Sequence, residues 1–271
     1  MFGLVIVTKD TSGAVKVGVF GRTGEMLSNT DAVVSRFLDG YIAEGVYIGE
    51  VLTQAVCSLE ELSGILNPNR VNSLDINQEV LKWNLYIALH DCMTLPMFIN
   101  GTSGTVSYHT RHASLVKRVA DTDLAESVLP YVLINNEQDK DKFTKACIAN
   151  KEEGAVYKLP SAPWEAGHKG FHQMKEVREV SYDLKCVGYE EGSGKYKGKV
   201  ANLLFQWKDG EIIKAMLGKG YTHQDAEDMF NDHSLFMHKV FRVRGLQDSS
   251  KGKIRLPKVM EERYDKPSGD F

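Results

Sequence analysis

Beyond Val177 the chain reads as five short strands set off by glycine turns, at residues 181–189, 198–207, 211–216, 236–243 and 253–261. A single helical pattern, at 223–230, interrupts them between the third and the fourth. Short alternating strands must pair with one another and cannot leave long open edges, and one helix inside the series fits a five-stranded barrel of the oligonucleotide-binding type better than a sandwich. The barrel is expected over 178–271 and a different domain over 1–177, with the boundary near 176–179. No Gly/Ser-rich linker stands there, so the hinge is expected to be short.

The first part mixes both periodicities. Residues 2–7 form an apolar strand that turns through Asp10-Thr11-Ser12-Gly13 into a second strand at 14–20, a hairpin ending in Gly21-Arg22-Thr23-Gly24. Thr30 or Asp31 is placed to cap a helix carrying Val33, Val34, Phe37 and Leu38, and Gly45 releases the chain into a strand at 46–52. A short helix is read at 58–66, a strand at 83–89 that delivers His90-Asp91, a helix around 108–119 and a further strand at 131–134. Phe143, Ala146 and Cys147 have the i, i+3, i+4 spacing of a helix face. The fold class is therefore α+β.

Of the 271 residues, 42% are hydrophobic and 25% charged, enough for a packed core in one large domain or two modest ones. Cys57, Cys92, Cys147 and Cys186 are scattered with no CxxC pair, which points to free thiols in a reducing compartment rather than a zinc site or disulfide framework. No apolar run approaches the roughly 20 residues of a membrane span, and a cytoplasmic protein is expected.

The stretch 153–177 combines Glu-Gly-x-Val-x-Lys, a loop rich in Pro, Gly and Trp, and a run ending Met-Lys-Glu-Val. Two lysines and a carboxylate projecting from neighbouring strands suit a nucleotide: ammonium groups neutralise phosphate oxygens, and a carboxylate holds a divalent metal or a ribose hydroxyl. A turn followed by a solvated lysine is the competing reading. The net charge of −3 is unevenly spread, because residues 239–258 carry Lys239, Arg242, Arg244, Lys251, Lys253, Arg255 and Lys258 against Asp248 alone, a local balance of +6. A basic patch within an acidic protein implies a localised anionic partner.

The order GRTG (21–24), YIGE (47–50), LHD (89–91), EGAVYK (153–158), HQMKEV (172–177) and RYDK (263–266) resembles motifs Ia, III, IIIa, IV, V and VI of the ATP-dependent DNA ligases, those of tailed phages most closely. The resemblance implies an ATP-grasp-like nucleotidyltransferase domain followed by an OB-fold barrel. In that family a lysine attacks the α-phosphate of ATP, AMP passes to the 5′-phosphate at a nick, and the 3′-hydroxyl then displaces AMP. The cofactors implied are ATP and Mg²⁺, and the partner is nicked duplex DNA, bound by a monomer.

Carried over residue by residue, the resemblance gives Arg22 the ribose or nick phosphate, although it also reads as a plain turn arginine. Glu50 would hold ribose hydroxyls or help place a metal, with Ile48 where the family usually has Asp. His90 takes the place of an aromatic that stacks on adenine, and reads equally as a core histidine. Glu153 would be the metal carboxylate, and Lys158 and Lys175 would grip the α-phosphate, with Gln173 replacing a further lysine. Arg263, Asp265 and Lys266 match the motif that orients the pyrophosphate leaving group, the competing reading being a charged tail. Lys239, Arg242, Arg244, Lys251, Lys253 and Arg255 would meet the DNA backbone.

The family's nucleophile stands in Lys-x-Asp-Gly a few residues before the first hairpin strand, and this chain starts at that strand. The expectation is an N-terminally shortened ligase core that has lost this lysine, Lys9 in TKDTSG being a solvated turn residue that imitates the motif only in letters. Three alternatives stay open: an RNA ligase, a capping-type nucleotidyltransferase, and a non-catalytic nucleic-acid-binding fragment.

Overall fold

The computed structural model describes residues 1–150, 152–248 and 252–271; Lys251, one of the cations expected to meet DNA, lies outside them. The chain divides into two compact units, one of residues 1–140 and 156–175, the other of 141–155 and 176–271. The second unit therefore takes residues 141–155 together with the barrel, and residues 156–175 return to the first.

In the first unit β1 (Phe2–Lys9), β2 (Val15–Phe20), β3 (Gly45–Thr53) and β4 (Leu85–Met93) form an antiparallel sheet in the order β2-β1-β3-β4. The hairpin turn is set by Asp10, whose Oδ1 accepts from the N–H groups of Ser12 and Ala14 at 2.9 and 3.0 Å. Strand alternation sends the two faces into two apolar clusters. Val5, Val7, Tyr47, Val51, Ile87 and Leu89 face the helices, whereas Leu4, Val46, Ile48 and Met93 pack with Phe98 and Trp164 on the other side.

The helices that cover the sheet are α1 (Asp31–Asp39), α2 (Leu59–Leu66), α3 (Ile76–Trp83), the single turn α4 (Leu95–Ile99) and α5 (Tyr108–Val119). Ser58 with Glu61 and Asp75 with Gln78 close reciprocal capping boxes on α2 and α3, each stabilising its helix by about 1 kcal/mol. Phe37 of α1 meets Tyr47 of β3 edge-on at 5.4 Å, both rings fully buried. The strand expected at 131–134 is not formed: the run is irregular, and the pairing that reaches β4 is a single bridge, Leu89 with Val128. α3 occupies residues to which the sequence reading assigns no element, and ends on Trp83, the residue at which the sequence reading starts the next strand.

After α6 (Glu137–Ala149), β5 (Gly154–Lys158) and β6 (Gln173–Val177) pair as a separate ribbon. The second unit is a closed barrel of β7 (Glu179–Glu191), β8 (Val200–Gln206), β9 (Ile212–Leu217), β10 (Val240–Asp248) and β11 (Ile254–Glu262), ordered β10-β11-β9-β8-β7 and closed through β10 against β7. β9 and β11 pair in parallel, the other neighbours antiparallel. α7 (His223–Asn231), capped by Thr222, lies in sequence between the third and fourth strands. Leu184, Leu203, Phe205, Ala215, Phe236, Phe241 and Val259 fill the interior. This is the five-stranded OB architecture that the strand pattern requires.

Candidate functional site

A pocket of about 320 Å³ opens in the first unit, lined by Asp91, Tyr108, Arg111, Lys158, Trp164 and His168 among others. Its floor is an ion pair. Arg111 of α5 grips Asp91 of β4 with two parallel bonds, Nε to Oδ1 and Nη2 to Oδ2, each 2.9 Å, and both side chains are 5% exposed. The remaining nitrogen, Nη1, donates to Val106 O at 2.8 Å, Ser103 Oγ at 3.2 Å and Ala162 O at 3.4 Å. Ser103 Oγ also accepts from the Trp164 N–H at 2.8 Å, so one guanidinium ties together β4, α5, the 103–106 turn and the loop that follows β5.

The cation of the pocket is Lys158, at the end of β5. Its Nζ lies 2.9 Å from His90 Nδ1 and 4.4 Å from the centre of the Tyr108 ring, and the Tyr108 hydroxyl donates to the His90 carbonyl at 3.1 Å. His90 is aimed by a bulge: Ile48 pairs with Asp91 and Gly49 with Leu89, leaving His90 as the extra residue of β4. Gly49 permits the close approach there, since a Cβ would stand 2.4 Å from Ala88 O. Burial, assisted by the Lys158 charge, lowers the His90 pKa to about 3, so the imidazole is neutral and its Nδ1 accepts from the ammonium. Burial also lowers Lys158 to about 8, against the attraction of Asp91. Among the described residues no carboxylate lies within 4 Å of the Lys158 ammonium, which leaves its charge uncompensated at the pocket wall.

The other residues expected in the site are placed as follows. Arg22 is exposed after β2, its guanidinium 5.4 Å above the Phe2 ring. Glu50 is half-exposed on β3, 3.3 Å from the terminal ammonium of Met1. Lys175 is exposed on β6, and Gln173 lines the pocket. Glu153 precedes β5 in the second unit and stands 3.9 Å from Arg255. Lys9 is exposed at the far end of β1, its backbone N–H donating to Glu44 at 2.9 Å. Among the described residues one group of three or more side chains can converge on a metal ion, Glu165, His168 and His172; neither Glu50 nor Glu153 belongs to it.

In the barrel, Arg263, Asp265 and Lys266 gather around Asp183 of β7. Arg263 holds Asp265 through two bonds of 2.9 and 2.7 Å and gives Nη1 to Asp183 at 2.6 Å, while Lys266 reaches the same Asp183 oxygen at 2.6 Å. Burial raises the Asp183 pKa, but Lys266, Arg263 and Arg242 together outweigh it and hold the carboxyl below its usual range. The hydrogen bond from Arg263 lowers Asp265 to about 2.

The basic run is less bare than its sequence. Lys239 meets Glu262 at 3.2 Å, Arg242 meets Glu261 at 2.7 Å, Arg244 meets Glu179 at 3.5 Å and Lys253 meets Glu211 at 2.6 Å. With Arg255 on Glu153, each described cation of the DNA-binding set has a carboxylate drawn from another part of the unit.

Sequence reading missed Arg111. It shares its helix face with Leu115 and Val119 at i+4 spacing, and a charge within an apolar stripe demands a buried partner; that was the available signal.

No family model matches the chain. Among proteins similar in sequence, the DNA ligase of Nitrosopumilus maritimus is 24% identical over 232 residues, 79% of this chain and 38% of that protein. The DNA ligase of Cenarchaeum symbiosum is 27% identical over 60% of the chain and 28% of its own length. A probable DNA ligase of Mycolicibacterium paratuberculosis is 34% identical over 46% of the chain and 24% of its own length. The chain thus spans between about a quarter and two-fifths of the length of these relatives.

Among solved structures, "Pmar-Lig_Pre." superposes with a TM-score of 0.74 at 19% identity, covering 97% of this chain and 61% of that one. A Lig E DNA ligase gives 0.69 at 12% identity, with 97% and 92% covered. The ATP-dependent ligase of bacteriophage T7 in complex with ATP gives 0.53 at 14% identity, with 97% and 89% covered. In sequence the chain is similar to DNA ligases over part of their length, and its fold is that of solved ATP-dependent ligase structures.

Proposed function

We propose that this chain supplies the adenylation and OB modules of an ATP-dependent ligase that seals nicks in duplex DNA through lysyl-AMP and DNA-adenylate intermediates. The observation that carries the reading is Lys158, an ammonium held by a neutral imidazole at the wall of a nucleotide-sized pocket. A phosphate beside it gains a charge-assisted hydrogen bond without first displacing a carboxylate. As the α-phosphorus is attacked, charge grows on its oxygens, and a fixed ammonium there stabilises that charge more than it stabilises the ground state.

In this reading Lys175 adds a second cation from β6, Arg22 and Glu50 contact ribose, and His90 positions Lys158. Glu50 and Glu153, each in its own unit, are half-exposed carboxylates of the type that would hold Mg²⁺, an ion that neutralises phosphate charge when bound. Arg263 and Lys266 must exchange Asp183 for a pyrophosphate before they can orient it. Lysyl-AMP formation needs a Lys-x-Asp-Gly lysine, a role for which Lys9, exposed at the far end of β1, is misplaced.

The reading is tested with the chain as given and with a version carrying a Lys-x-Asp-Gly segment ahead of Phe2. ATP is expected to bind both, while the covalent adenylate and nick sealing are expected only in the second. An adenylate on the chain as given, removed by Lys9→Ala, contradicts it. Faster sealing of RNA than DNA strands by the extended protein would favour an RNA ligase.

A further inference from the structure

The loop between β5 and β6 carries Trp164-Glu165-Ala166-Gly167-His168-Lys169-Gly170-Phe171-His172, and it is tied down at several points. The Leu159 N–H donates to His172 O at 2.9 Å, the Ala166 N–H to Gly101 O at 2.9 Å, and Glu165 bridges Thr102. On this anchored backbone the ligating atoms of Glu165, His168 and His172 all lie within 4.8 Å of one another. Glu165 Oε2 is 3.0 Å from His168 Nδ1. The two imidazoles stack 3.9 Å apart with 7° between their planes.

Two further observations point to a ligand. His172 Nδ1 is sheltered from solvent with no hydrogen-bond partner, an unfavourable state that an ion would relieve. Gly170 leaves room for the His168 ring, because a Cβ there would come 2.4 Å from Nε2. Glu165 and His168 are exposed, so an ion can reach the group from solvent.

We propose that Glu165, His168 and His172 bind one divalent ion of the zinc, cobalt and nickel class. Two imidazoles and one carboxylate form the donor set of an open three-ligand site that leaves a position for water or a phosphate oxygen. Mg²⁺ is disfavoured, since it takes oxygen ligands at near-ideal octahedral geometry. The rings must tilt out of their parallel stack for their in-plane lone pairs to converge on one ion, and all three residues line the pocket that holds Lys158. The proposal does not depend on the ligase reading.

The test is titration of the full chain with Co²⁺, followed by visible absorption and calorimetry. One ion per chain is expected, with the intense visible bands of a low-coordinate site that six-coordinate aqueous Co²⁺ lacks. Loss of either imidazole in His168→Ala or His172→Ala should weaken affinity at least about 10- to 100-fold, the range that loss of mere supporting groups produces. Glu165→Gln and Gly170→Ala should weaken it also, with thermal unfolding of the ion-free chain unchanged. Binding that both histidine variants retain, displacement by an equal concentration of Mg²⁺, or no saturation below millimolar Co²⁺ would overturn the proposal.

Discussion

The cations around Lys158 in the first unit and those around Asp183 in the barrel are built in opposite ways. In the first unit Lys158 is held by neutral groups, His90 and the Tyr108 ring, while the carboxylate below it is already consumed by Arg111. In the barrel Arg263, Lys266 and Arg242 converge on the single carboxylate of Asp183. The pocket cation is presented without a counter-charge; the barrel cations are stored against one. An anion binding at Lys158 therefore meets a preorganised donor, whereas one recruited to Arg263 must compete with Asp183.

The largest expected effect breaks the pocket floor. Arg111→Ala leaves Asp91 buried and unpaired, which should destabilise the chain by about 3 to 5 kcal/mol in denaturant unfolding. Asp183→Ala should cost less, about 1.5 to 3 kcal/mol, because Lys266 and Arg242 are 38% and 35% exposed and can turn to water. Equal losses would erase the contrast between the two clusters.

Next is nucleotide affinity. Lys158→Ala should weaken ATP binding about 10- to 100-fold, the worth of a charge-assisted hydrogen bond, while Arg263→Ala should change it far less. Gln173→Ala, removing a neutral amide, should matter little.

The pH dependence sharpens the same point. Below pH 8 Lys158 is protonated, facing His90, Tyr108, Asp91 and Arg111, and ATP affinity is expected to be flat in its dependence on this group. Above about 8 the free ammonium loses its proton and affinity should fall by up to about tenfold per pH unit. Stability moves the other way. A lysine lowered from 10.5 to about 8 on folding makes the unfolded chain bind more protons between those values, so its contribution to stability rises with pH across that window. His90, lowered from 6.5 to about 3, likewise removes stability as pH falls from 6.5 toward 3.

The smallest effect concerns the basic run. Exposed ion pairs are worth little, so Lys253 and Arg255 can exchange Glu211 and Glu153 for phosphates, but Glu211 and Glu153 remain beside them. Lys253→Ala with Arg255→Ala should lower the log–log salt slope of DNA binding by less than the roughly 2 expected of two bare phosphate contacts. A loss of 2 or more would show that the carboxylates do not attenuate the patch.

The barrel and the opening hairpin were legible because alternation and turn residues agree over several strands. α3 was not: Ile76, Val80 and Trp83 are 85%, 56% and 62% exposed, so its apolar residues do not mark one buried face. The apolar run at 131–134 has the composition of a strand but pairs with no strand among the described residues, and Val132 and Leu133 are each 62% exposed. Of the site, Lys158 and His90 could be singled out from their motifs, yet their mutual contact joins β4 to β5 across 68 positions of sequence. The neutralising carboxylates of the basic run were invisible for the same reason, since they come from other strands and from the turns before β5 and β9.

The central claim, a cation kept ready for phosphate by a neutral histidine, is tested most directly by following the Lys158 side chain by NMR as pH is varied, with and without ATP. The account predicts a pKa of about 8 in the free chain and an upward displacement when ATP is bound. A value near 10.5 that ATP leaves unmoved would contradict it.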